Sequence, residues 1–98
     1  MTTVRVDDIS SEMLHLIVAQ LEGRGIDPWH LFLREADVME RWGPVYVVHV
    51  RLPYKIAGLS AWKSGIDPDP LAACARAYLK ARLGNEIDLT RCEIVPQG

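Results

Sequence analysis

Arg76 and Lys80 stand four residues apart, the spacing that places two side chains on one face of a helix. Arg51, Lys55 and Lys63 precede them, with Tyr54 and Trp62 interleaved. Five cations arranged this way can follow a phosphate backbone, and the two aromatics can stack a base. The whole-chain balance opposes that reading, because the formal net charge is −2 and a nucleic-acid module usually carries a basic footprint. The charge is segregated rather than absent. Residues 1–50 hold 4 basic and 8 acidic groups, residues 51–83 hold 6 basic and 2 acidic, and residues 84–98 hold 1 basic and 3 acidic. Such asymmetry either steers a charged partner or cancels when the fold interleaves the signs.

The other reactive types lack a constellation. His15, His30 and His49 have no metal-ligand spacing with one another or with Cys74 and Cys92. Cys74 lies among alanines in a helical stretch, where a thiol behaves as a small buried apolar group rather than a thiolate. Gly23-Arg24-Gly25 follows a helix and lacks the lysine of a phosphate loop. Asp7-Asp8, Asp67 and Asp69 read as turn and capping residues. The sequence therefore predicts no catalytic residue, no metal and no cofactor.

Three tryptophans remain to be explained. Trp42 abuts Gly43-Pro44 and Trp62 lies near a strand end, both places where full burial is difficult. They either plug the core of a small domain or anchor a partner protein, since aromatics and arginine dominate interface energy. The partner-binding candidates are Trp42, Arg51, Tyr54, Lys55, Trp62, Lys63, Arg76 and Lys80.

These residues need elements to hold them. An apolar content of 49% over 98 residues suits one domain with a modest core. Thr2, Val4 and Val6 alternate as in a short strand. Ser10 caps a helix whose stripe is Leu14, Ile17, Val18 and Leu21, with Ile9 stapled to Leu14 and with His15, Ala19 and Glu22 outside the stripe and exposed. Asp27-Pro28 starts a second helix carrying Trp29, Phe32, Leu33, Ala36 and Met39 to a stop at Gly43-Pro44, although Leu31, Leu33 and Glu35 also alternate as a strand would. Residues 45–50 form the clearest strand, and residues 56–63 form a second, bulged at Gly58, in an antiparallel hairpin with it. Asp69-Pro70 starts the last helix, with Leu71, Ala75, Tyr78, Leu79 and Arg82 roughly on one face, and Gly84-Asn85 ends it. Its alanines permit close approach to a sheet or another helix, and its apolar face could support a homodimer. Ile87 and Leu89 alternate and Ile94-Val95 is apolar, so a final strand is expected. The predicted fold is α+β, one antiparallel sheet of three or four strands with helices packed on it, in the order β–α–α–β–β–α–β. No leader-like segment opens the chain and no run approaches the roughly 18 apolar residues of a membrane span, so a cytoplasmic location with reduced thiols is expected.

Trp62, Pro70, Ala73, Cys74, Arg76, Ala77 and Leu79, with the Gly/Asp/Pro loop before them, resemble the strand–loop–helix of small tailed-phage and prophage proteins of the phage ABA sandwich type. That resemblance spans the last half of the chain. It implies a phage accessory protein, and with it a protein partner in a bacterial host, of which an inhibitor of a host defence complex such as an anti-CRISPR protein is one version. Nucleic-acid binding by the basic 51–83 segment is the alternative.

Overall fold

A computed structural model describes residues 3–88. Strand β1 (Thr3–Arg5) leads through a 3-10 turn (Val6–Asp8) to helices α1 (Ser11–Glu22) and α2 (Pro28–Glu35). Strands β2 (Ala36–Trp42), β3 (Val45–Arg51) and β4 (Trp62–Asp67) follow, then helix α3 (Pro70–Leu83) and strand β5 (Glu86–Asp88). The architecture is α+β with antiparallel pairing throughout. Strands β2, β3 and β4 form one sheet in that order, and β1 pairs with β5 in a separate ribbon. Leu89, Cys92 and Ile94-Val95 lie outside the described residues.

The helix starts are those the capping residues dictate. Ser10 Oγ accepts the Met13 N–H at 3.4 Å, Asp27 Oδ1 accepts that of Trp29 at 2.9 Å, and Asp69 Oδ1 accepts that of Leu71 at 3.0 Å. Leu14, Ile17 and Val18 are buried as the α1 stripe requires, while Leu21 is exposed. Glu22, His15 and Ala19 are half-buried rather than exposed. Glu22 is drawn in because its Oε1 takes both the Tyr78 hydroxyl, at 2.8 Å, and the Arg34 guanidinium.

Three sequence expectations are corrected. The second helix does not run to Gly43-Pro44; it ends at Glu35, and residues 36–42 form strand β2. The alternation of Leu31, Leu33 and Glu35 lies in residues that are helical, and the strand comes after it, set by pairing with β3. Gly43-Pro44 is the hairpin turn, with Gly43 at φ 63° in the first central position, where a two-residue connection needs a positive φ. The third sheet strand is displaced, running over Trp62–Asp67 instead of residues 56–63, so Gly65 and Ile66 belong to the sheet and not to a loop. Gly58 marks no bulge. With Ala57 at φ 51° and Gly58 at φ 79°, residues Ile56 and Leu59 exchange two backbone hydrogen bonds of 2.9 Å across a tight turn. The expected order thus gains one strand, and the expected single sheet becomes a three-stranded sheet and a ribbon.

Helix α3 is not amphipathic but central. Residues 72–79 and Ala81 are all buried. On one side Ala72, Ala75, Tyr78 and Leu79 pack with Leu14, Ile17, Val18, Leu31, Val6 and Ile87. On the other side Ala73, Cys74, Ala77 and Ala81 pack with Val48, Val50 and Leu52 of the sheet. The alanines let the sheet approach one side while the helices cover the other, and this burial removes the alanine face as a dimer surface. Cys74 is wholly buried, and desolvation pushes its thiol up to about 12, so it stays protonated at neutral pH. In a Cys92→Ser chain, Cys74 is expected to resist a thiol reagent until the protein unfolds. Rapid labelling of the native chain would contradict this packing.

Candidate partner-binding surface

Among the described residues the sheet has one covered face and one open face, and the pleat decides which side chains go where. Helix α3 covers the face bearing Val48, Val50, Gly65 and Asp67. The opposite face carries Val38, Glu40 and Trp42 from β2, Val45, Val47, His49 and Arg51 from β3, and Trp62, Ser64 and Ile66 from β4. Trp42 is 65% exposed, Trp62 44%, Ile66 56% and Val38 50%. Trp29, on α2, is 52% exposed and stacks on Phe32 with centroids 5.6 Å apart. None of the three tryptophans plugs the core.

At one end of the open face Trp62 is fixed in place. Its indole N–H donates to Asp37 Oδ2 at 2.6 Å, and the Arg51 guanidinium lies 5.4 Å from its ring centroid and 3.7 Å from the same carboxylate oxygen. Trp42 stands at the far end of β2, beside the hairpin turn. Between them, one hydrogen-bonded line crosses all three strands. Glu40 Oε2 lies 2.7 Å from His49 Nε2, and His49 Nδ1 lies 2.6 Å from Ser64 Oγ. A neutral imidazole holds this line by donating to Glu40 and accepting from the Ser64 hydroxyl; a protonated one donates to both. The His49 bond, aided by one from Trp42, holds the Glu40 carboxyl below its ordinary value. A serine, a histidine and a carboxylate in contact are also the parts of a nucleophilic relay. Here they lie mid-strand on the open face and link the three strands in a polar seam between Trp42 and Trp62.

The long connection between β3 and β4 lies beside the Arg51 end of this face. Leu52 N–H donates to Ala61 O at 2.8 Å and closes its base, and the Ile56–Leu59 turn closes its tip. Tyr54, Ile56 and Leu59 are exposed on it, as is Lys55. Lys63 points to the opposite, helix-covered side of β4, where its Nζ reaches Asn85 Oδ1 at 3.4 Å.

Arg76 and Lys80 are not surface cations. Arg76 is 8% exposed. Its Nε and Nη2 bind Asp67 Oδ2 at 3.1 and 2.9 Å, and its Nη1 donates to the carbonyls of Val6 at 2.9 Å and Ile9 at 2.6 Å. Lys80 Nζ pairs with Asp7 at 2.7 Å and donates to the Ser64 carbonyl at 2.9 Å. Both tie the N-terminal segment and the sheet to α3. The structure thus brings Trp42, Arg51, Tyr54, Lys55 and Trp62 to the surface and takes Arg76 and Lys80 into the fold. Sequence reasoning missed the Glu40–His49–Ser64 seam. Outward alternation of His49 along β3 was readable, but its neighbours depend on the register of β2 and β4.

Two depressed carboxylates set an acid limit. Glu22 is held below its ordinary value of 4.5, first by the Arg34 bond and further by Tyr78, and Glu40 by His49. A lowered folded-state value means that the unfolded chain binds more protons, so the stability these groups add is present above about pH 4.5 and is lost as pH falls through the folded values. The melting temperature is expected to hold from neutral pH to about pH 5 and then fall, with a shallower fall in Glu22→Gln. Identical acid profiles for the two chains would remove Glu22 from this account.

No family model matches the sequence, and no curated protein and no solved structure matches it. Among the described residues no helix is long and apolar enough to cross a membrane, and no group of three or more His, Cys, Asp or Glu side chains is placed to hold a metal ion.

Proposed function

We propose that this protein is non-enzymatic and acts by binding another protein through the open sheet face and the adjoining β3–β4 connection. The observation that carries this reading is the exposure of Trp42 and Trp62 at opposite ends of a face that no element covers among the described residues. Large apolar groups grouped on a surface and rimmed by polar ones are characteristic of protein interaction sites. Trp62 and Arg51 are held in place before any partner arrives, which lowers the ordering cost of binding. The resemblance of residues 62–79 to small phage proteins supplies the setting: a phage accessory protein in the host cytoplasm, with a bacterial protein complex, a defence complex among them, as target. The nucleic-acid reading keeps Arg51 and Lys55 and loses Arg76 and Lys80 to buried bonds.

The test is affinity capture of the tagged chain from bacterial lysate, with and without nuclease, beside a Trp42→Ala chain. A stoichiometric protein that survives nuclease is expected, and Trp42→Ala should weaken its binding about 30-fold, as loss of a hot spot of roughly 2 kcal/mol does. The same substitution should change stability by less than about 0.5 kcal/mol, because the ring is on the surface. Recovery that vanishes with nuclease would refute the reading in favour of nucleic acid.

A further inference from the structure

The β3–β4 connection is a hydrogen-bonded finger. Residues 53–60 are all exposed, yet backbone bonds close both its base, between Leu52 and Ala61, and its tip, between Ile56 and Leu59. Ala57 at φ 51° and Gly58 at φ 79° make the two-residue turn at the tip. Asn-Gly suits such a turn best, and nothing in its geometry asks for large apolar flanks. Here Ile56-Ala57-Gly58-Leu59 carries no polar side-chain atom. Leu59 is 71% exposed, more than any other large apolar residue described, and Ile56 is 54% exposed. Aliphatic groups fixed in water at such a tip gain by entering an apolar phase.

The surroundings of the tip indicate which phase. Residues 41–66 contain four cations, Arg41, Arg51, Lys55 and Lys63, and no acid. Of these, Arg51 and Lys55 flank the tip on the approach from β3. Lys55 is exposed and makes no ion pair among the described residues. Arg51 shares Asp37 Oδ2 with Trp62, at a long 3.7 Å. Tyr54 is exposed beside Lys55, and Trp62 follows the base. Aromatic rings with a polar handle sit at the level of lipid headgroups, and cations there are drawn to anionic lipid. The backbone fits as well. The N–H and C=O groups of Ile56 and Leu59 are bonded to each other, so these two residues carry no unpaired backbone group out of water.

We propose that the β3–β4 connection is a membrane-contact finger, whose tip Ile56–Leu59 enters the interface of an anionic lipid bilayer while Lys55 and Arg51 meet its headgroups. Apolar burial together with attraction of cations to anionic lipid holds a protein on a membrane surface without spanning it. Two aliphatic side chains and two cations, one of them shared with Asp37, make this contact weak and reversible. The proposal does not rest on the protein-binding reading above. It takes the tip of the connection, and Trp42, at the far end of β2, stays free for a protein partner.

The probe is vesicles of phosphatidylcholine and phosphatidylglycerol in equal parts, beside vesicles of phosphatidylcholine alone. The full chain is expected to co-sediment with the mixed vesicles. Its affinity for the neutral ones should be at least about fivefold lower, the worth of one uncompensated cation at an anionic surface. Leu59→Asp should lower affinity for the mixed vesicles at least about tenfold with unchanged circular dichroism, since an exposed leucine adds little to the fold. In a Cys92→Ser background, a polarity-sensitive dye on Leu59→Cys should shift to the blue with mixed vesicles. The same dye on Leu33→Cys, exposed on α2, should not. No binding to mixed vesicles would overturn the proposal, as would equal binding to neutral ones, equal binding by Leu59→Asp, or no shift at Leu59→Cys. If vesicles are not bound and Leu59→Asp weakens capture of a protein from lysate, the tip belongs to that protein instead. Should Leu59→Asp not fold, the dye comparison decides.

Discussion

Replacing Arg76 with methionine is expected to destabilise the protein by about 4 kcal/mol, read as a fall in the urea midpoint at unchanged slope. The side chain is almost wholly buried, and its four hydrogen bonds end on the Asp67 carboxylate and on two backbone carbonyls nearly seventy residues away in sequence. Methionine fills much of the volume but donates nothing. It leaves Asp67 as a shielded, uncompensated charge and the carbonyls of Val6 and Ile9 without this donor. A loss of this size is a large part of the roughly 5–15 kcal/mol by which a small domain is stable. The cost belongs to the broken pair rather than to arginine as such. Arg76→Met combined with Asp67→Leu should therefore lose clearly less than the sum of the two single changes. Arg76→Lys should recover only part of the loss, because one ammonium cannot meet the carboxylate and both carbonyls in the geometry a planar guanidinium offers. An Arg76→Met chain within about 1 kcal/mol of the parent would show that this network contributes little.

Arg76 also marks the boundary of what the sequence could reveal. Its spacing from Lys80 suggested a shared basic face, and spacing along a helix carries no information about what surrounds that helix. The partners of Arg76 come from the N-terminal segment and from the end of β4, both placed by tertiary packing. Local signals did better. Ser10, Asp27 and Asp69 cap their helices because a cap is a contact within three residues. The β-branched run of residues 45–50 was legible as a strand, and it is the central one of the three. The alanines of α3 were legible as close-approach residues, and Cys74 as a buried thiol, but their being approached from opposite sides was not.

The length of the second helix was the other point that the sequence did not decide. Residues 28–42 hold a helix and then a strand, with the change at Glu35–Ala36, so the alternating Leu31, Leu33 and Glu35 are helical and the strand follows them. Nothing local marks that change: Ala36 is a good helix former, and it leaves the helix because residues 36–42 find β3 through the Gly43-Pro44 turn. The open face inherits this difficulty. Trp42 was recognisable as a residue hard to bury, but its place opposite Trp62 across a polar seam depends on β2 being a strand and on β4 beginning at Trp62 rather than ending there.

The shifted strand carries the second large effect. Gly65 lies in the middle of β4 against the backbone of α3, and a Cβ built there would lie 2.1 Å from the Ala73 carbonyl oxygen, 2.7 Å from Ala77 N and 2.8 Å from Arg76 Cβ. Two of these three atoms are main chain of the central helix, so no rotamer change can make room. Gly65→Ala must push α3 off the sheet and strain the Arg76–Asp67 bonds beside the contact. The expected cost is about 3 kcal/mol, at the upper end of ordinary overpacking. Gly25→Ala provides the contrast, because a Cβ there meets nothing. That change should be neutral or stabilise by up to about 1 kcal/mol through the unfolded chain. Removing the neighbouring methyl groups gives a sharper test. If the clash is with main chain, Ala73→Gly and Ala77→Gly will fail to rescue Gly65→Ala, since each deletes a side chain and leaves the offending backbone atom in place. Rescue by either would mean that side chains, not backbone, set the distance between α3 and β4. The same closeness explains why glycine stands at this strand position despite its poor strand propensity: the backbone of α3 leaves no room there for a Cβ.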